Sequence, residues 1–139
     1  MRGARDWQNA TAPSLADIEA LAADAWNRLP SEFRQLCRDL VFRVEDFATD
    51  DVLDELGIET PFDLMGLYRG VSLDRKSVLD QPLEPDMVFL YRRAILDYWA
   101  ESDEPLGHLV THVLVHEIGH HFGLSDADME AIEAEAGDA

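Results

Sequence analysis

Residues 108–126 read HLVTHVLVHEIGHHFGLSD, and all five histidines of the 139-residue chain fall between His108 and His121. Within that stretch His116, Glu117 and His120 spell H-E-x-x-H. On an α-helix, residues four apart lie one turn above each other, so the imidazoles at 116 and 120 converge and form a two-pronged claw for a metal ion. Glu117 sits about 100° further round, close enough to reach another ligand of that ion without binding the ion itself. This is the place for a general base. Zinc suits the pair, because neutral imidazole is a preferred ligand and a catalytic site takes three protein ligands and keeps one position open.

A third ligand has to come from elsewhere in the chain. Gly123 is suited to end the helix in the left-handed conformation and turn the chain back, and Asp126 follows three residues later. The resulting H-E-x-x-H-x-x-G-x-x-D resembles the extended zinc signature of the metzincins, with aspartate in the third-ligand place. Ser125-Asp126-Ala127-Asp128 also reads as a helix start, with Ser125 as N-cap and acids in the first turn. If Asp126 serves only as that first turn, Asp128 or Glu130 is the next ligand candidate. His112 and His108 continue the four-residue ladder but drift about 40° per step away from His116. His112 is therefore expected to line the cleft or support a ligand, or to be a solvated or core residue. His121 points away from the claw and is read as a packing or hydrogen-bonding residue. Leu109, Val110, Val113, Leu114, Val115, Ile118 and Phe122 occur all round the helix, as expected of an element buried inside a small domain.

Composition narrows the classes of partner. The 29 acidic against 11 basic residues give a net charge of −18, which argues against nucleic-acid or anionic-membrane binding and favours basic peptides. The plainer reading of that charge is a solvated surface. No stretch approaches the eighteen or so apolar residues of a membrane span, and the start MRGARDWQNATAPS has no apolar signal core, so a cytoplasmic monomer is expected. Cys37 is alone, which excludes an intramolecular disulfide, and it is read as a small buried apolar residue. A chain of this length, 47% hydrophobic, builds one core.

Periodicity places the elements. Residues 1–13 are expected to be a flexible tail, followed by one domain over 14–139. Leu15, Ile18, Leu21, Ala22, Ala25, Trp26 and Leu29 recur at helical spacing after an N-cap at Ser14 and stop at Pro30. A second helix is expected over 31–40, strands over 40–47, 64–71 and 87–92, and short helices over 50–56 and 94–101. An acidic loop is expected over 72–85. Ser102 is expected to cap the claw helix, and a last helix spans 126–136, its charges all acidic and read as a solvated face.

The residues VHEIGHHFGLSD, with the upstream strand MVFLYRR, resemble the small bacterial zincin-like proteins called minimal metalloproteases over roughly residues 14–136. The resemblance implies an α+β fold: a compact zincin-like domain with a sheet of about three strands on a backing helix and a buried active-site helix. It implies one Zn2+ held by His116, His120 and Asp126, with Glu117 as the catalytic base of a zinc metallopeptidase. It also implies that an edge strand, here residues 87–92, pairs with an extended peptide or protein substrate. Residues 127–139 leave no room for the C-terminal subdomain or Met-turn of full metzincins, so Met129 is expected in the core and the substrate range is expected to be narrow. A non-catalytic zincin-like metal-binding module is the alternative. A metal-dependent ribonuclease is disfavoured by the motif glutamate, the lack of a third histidine at the needed spacing and the −18 charge.

Overall fold

The structure, a computed structural model, describes residues 4–37, 39–70 and 85–137. Ser14 caps the first helix reciprocally: its hydroxyl accepts from the Asp17 amide (3.1 Å) and its own amide donates to the Asp17 carboxylate (2.8 Å). Helix α1 (Leu15–Arg28) then buries Ile18, Ala22 and Ala25 along one face. Helix α2 (Ser31–Arg34) is a single turn rather than the ten-residue helix expected. It buries Phe33, and Arg34 turns back to donate to the Leu29 carbonyl at 3.0 Å. Strand β1 (Val41–Glu45) leads to helix α3 (Asp50–Leu56), capped by Thr49 and closed by Gly57 at φ 69°. Strands β2 (Gly66–Arg69) and β3 (Met87–Tyr91) complete the described sheet. Of the acidic loop expected over 72–85, residues 72–84 lie outside the described residues.

The sheet order is β1-β3-β2. β1 runs parallel to β3, with Val41 opposite Met87 and Glu45 opposite Tyr91, and β2 runs antiparallel, with Gly66 opposite Leu90. The expectation that 87–92 is an edge strand is thus overturned: β3 is central. Its burial explains why, since Val88 and Leu90 are fully buried and Tyr91 nearly so, as befits a strand hydrogen-bonded on both sides. The strand next to the histidine helix with an edge free of described strands is β2.

Helix α4 (Arg92–Glu101) follows β3 without a loop. Ser102 closes this helix instead of opening the next one: its hydroxyl donates to the Trp99 carbonyl (3.2 Å) and accepts from the Glu104 amide (3.3 Å). Helix α5 (Leu106–His121) therefore starts after Pro105. Leu109, Val110, Val113, Leu114, Val115 and Ile118 are at most 4% exposed, because α5 is packed against α1, β2, β3 and α4, with the final helix α6 (Asp126–Gly137) on a further side. Phe122, expected among them, lies past the helix end and is partly exposed against Tyr68 and His121. Ahead of α1, Ala4–Asn9 forms a short 3₁₀ helix, Trp7 is exposed, and the Pro13 carbonyl is held by Arg92 Nε. Arg92 also pairs with Asp46 at 3.0 Å.

Candidate metal centre

The end of α5 is built as its glycine foretells. Gly123 takes φ 73°, its amide donates to the His120 carbonyl (3.2 Å), and the Leu124 amide donates to the Gly119 carbonyl (2.9 Å). This pair of bonds satisfies carbonyls the helix would otherwise leave open and reverses the chain. Ser125 then caps α6 in the manner expected, its hydroxyl accepting from the Asp128 amide (3.1 Å) while Asp128 reaches back to the Ser125 amide (3.4 Å). Asp128 is thereby engaged in the cap. Helix α6 runs back antiparallel along α5, and the close approach depends on Gly119. A Cβ there would fall on the sulfur of Met129, which is fully buried as expected.

The histidine ladder divides between two sides of α5. His116 turns towards α6, where Glu133 bridges two rings: His112 Nδ1 lies 2.8 Å from Oε1, a hydrogen bond in the Nδ1–H tautomer, and His116 Nε2 lies 3.3 Å from Oε2. The His112 and His116 rings are 3.9 Å apart at their centroids. His116 Nε2 is buried and makes no hydrogen bond within the described residues. Burial, with the neighbouring His112 ring, holds the His116 imidazole below its ordinary pKa, against the opposing pull of Glu133. Among the described residues, His112, His116 and Glu133 form the set of three donors whose ligand atoms all lie within 4.8 Å of one another. They line a cleft of about 720 Å3, together with Arg28, Glu104, His108, Asp126 and Glu130.

Glu117 takes another direction. Its side chain lies against β2, where a Cβ added to Gly66 would come within 3.1 Å of Glu117 Cγ and 2.8 Å of Val113 Cγ1. Burial alone pushes its carboxyl up from 4.5 to about 7. Tyr91 of β3, buried close enough to feel the Glu117 charge, is pushed up to about 12, first by burial and then by Glu45.

His120 is exposed, its ring 5.5 Å from that of His116 and nearly perpendicular to it. Asp126 is exposed in the first turn of α6 and borders the same cleft as His116. His120 and Glu117 are not among the residues lining that cleft. His121 points away from both, its ring 4.2 Å from Tyr68. The residue missed in the sequence is Glu133. Asp126, Glu130 and Glu133 recur at i, i+4 and i+7, a stripe along one face of α6 that could have been found, but an acidic helix face is ordinarily solvated.

A buried ring nitrogen without a hydrogen bond, with a carboxylate and further imidazoles beside it, is a donor set that a borderline cation such as Zn2+ accepts. The residues present fit the ion. No curated protein matches the chain. A family model described as zincin-like metallopeptidase matches residues 37–136, from ahead of the first strand to the last turn of α6 and with the whole H-E-x-x-H helix inside it. The match covers well over half of the chain, which therefore belongs to the zincin-like metallopeptidase family.

Proposed function

We propose that the protein is a zinc-dependent peptidase in which His116 and His120 of α5 and Asp126 at the head of α6 hold one ion, and Glu117 is the general base. The observation that carries this reading is the place of Glu117: a half-buried carboxyl one residue from His116, set against β2 and pushed up to about 7 by burial. A base near neutrality is suited to taking and returning a proton. When bound, zinc supplies a Lewis acid that polarises a carbonyl and makes water a better nucleophile.

The chain's own residues do the rest. The Glu117 carboxylate accepts the proton of the attacking water and passes it to the leaving amine nitrogen. The side chain lies beside Gly66 of β2, and its partial burial there raises the carboxyl towards neutrality. β2 replaces 87–92 as the strand for substrate: an extended peptide pairs with the outer edge of Gly66–Arg69, directly beside Glu117. The acidic surface favours basic peptides.

Glu117→Gln tests the assignment, with cleavage of a peptide library and zinc content measured side by side. The expected result is loss of turnover by at least about a hundredfold, the scale of general-base catalysis, with one zinc retained. Cleavage at the wild-type rate would refute the role of Glu117. Chelation separates enzyme from structural module: activity is lost while far-UV circular dichroism is kept, because the core of α1, α5 and the sheet is apolar and closes without the ion.

A further inference from the structure

We propose that His112 Nδ1, His116 Nε2 and Glu133 form a second ligand set for a divalent cation, on the α6 side of the histidine helix. The set goes beyond the peptidase site and rests on that reading only for the sharing of His116. Its geometry is already assembled. The Glu133 carboxylate lies 2.8 Å from one imidazole nitrogen and 3.3 Å from the other, and all three donors fall within 4.8 Å of one another. Two imidazoles and a carboxylate from i, i+4 positions of one helix and a facing position of the next is a zinc-type donor set with room for water as a fourth ligand.

Two further observations point to a cation in this place. His116 Nε2 is buried and lacks a hydrogen bond, although the Glu133 carboxylate lies 3.3 Å from it. The cleft into which the set opens carries Glu104, Asp126 and Glu130 besides Glu133, and Arg28, the one Lys or Arg among the described residues that line it, is already paired with Asp24 at 2.9 Å. The local field therefore draws cations in.

Neutral imidazole has one lone pair on Nε2, so His116 cannot serve both sets through that atom at once. The two sets compete for a single ion. An ion held by His112, His116 and Glu133 is on the cleft side of α5, away from the β2 side on which Glu117 lies. The second set is thus an alternative position for the ion, with His116 as the common ligand.

The test is zinc titration of the metal-stripped full chain by isothermal calorimetry, with cobalt substitution to read the ligand environment by visible absorption. Wild type binds one ion, and His116→Ala weakens binding at least a hundredfold. His120→Ala, an exposed position whose loss leaves the core intact, still binds one ion within about tenfold of wild-type affinity. Adding Glu133→Gln or His112→Ala to His120→Ala then lowers affinity a further hundredfold. The cobalt spectrum of His120→Ala differs from that of Glu133→Gln, each variant reporting one set. If His120→Ala alone abolishes binding in a folded chain, or if adding Glu133→Gln changes neither affinity nor spectrum, the second set does not exist. Glu133 then only orients the two imidazoles. Failure of the peptidase reading is seen elsewhere, as Glu117→Gln cleaving at the wild-type rate, and leaves these titrations unaffected.

Discussion

Gly119 is the narrowest point between the histidine helix and the helix that carries Glu133, and Gly119→Ala should separate them. The added Cβ falls on Met129 Sδ and lies 2.8 Å from Met129 Cγ, about 0.6 Å inside ordinary van der Waals contact. Met129 is fully buried, so its side chain has no solvent-side space to retreat into. Overpacking of this kind costs about 1–3 kcal/mol, while alanine returns about 1 kcal/mol of helix propensity, leaving a net loss of about 0–2 kcal/mol. The functional effect is larger than the stability effect suggests. Glu133 is one turn beyond Met129, and a comparable displacement of α6 lengthens its contacts of 2.8 Å to His112 and 3.3 Å to His116, weakening the hydrogen bond to His112 and loosening the cluster. Urea unfolding of wild type, Gly119→Ala, Met129→Ala and the double variant forms the assay, with zinc affinity measured on each. Met129→Ala alone costs about 2–5 kcal/mol, but in its background Gly119→Ala should stabilise by about 1 kcal/mol, since the clash is gone. If Gly119→Ala stabilises the otherwise wild-type protein by that full amount, with zinc affinity unchanged, the helices are not in contact at this glycine.

Three further outcomes follow from the geometry. In metal-stripped protein the folded pKa of Glu117, raised from 4.5 to about 7, means that the folded state keeps a proton the unfolded chain gives up. The associated destabilisation is absent below pH 4.5, grows as pH rises and is complete above 7, at about 3 kcal/mol. Glu117→Gln should therefore gain stability over wild type at pH 8 and little at pH 4, and a gain independent of pH would show that Glu117 is solvated. Gly66→Ala pushes β2 away from Val113 and Glu117, with the Phe89 carbonyl, 3.3 Å from the new Cβ, blocking retreat. Peptide cleavage should fall about tenfold or more while zinc content is kept; an unchanged rate would remove β2 from the substrate path. Arg92→Ala loses the bonds to the Pro13 carbonyl and to Asp46 and should cost about 1–2 kcal/mol in urea unfolding, with activity per folded molecule unchanged. No measurable cost would mean that the segment before α1 is not held there.

The sequence was most informative where one local rule acts alone. The cap at Ser14, the left-handed Gly123 and the helix carrying H-E-x-x-H each follow from side chains within a few residues of one another. Where two rules competed, the tertiary structure decided. Ser102 has the chemistry of an N-cap but bonds back to Trp99, and α2, expected to run on in a composition suited to a helix, ends at Arg34 ahead of β1. The order of strands could not be read from alternation, because a central and an edge strand of five residues look alike until their neighbours are known. Glu133 was illegible for the same reason. Its distance from the histidines is set by the register of α6 on α5, which Gly119 and Met129 fix together, whereas its own surroundings in sequence are those of any exposed acidic helix.

The reversal at Gly123 also sets a time order for assembly. Every donor of the His112–His116–Glu133 cluster lies within one antiparallel helical pair, so these contacts close a short loop, whereas the pairing of Val41 with Met87 closes a long one. Short loops close faster, and parallel strand pairing is intrinsically slow. An ion met during folding therefore finds histidines and a carboxylate already gathered while the sheet that shelters Glu117 is still forming.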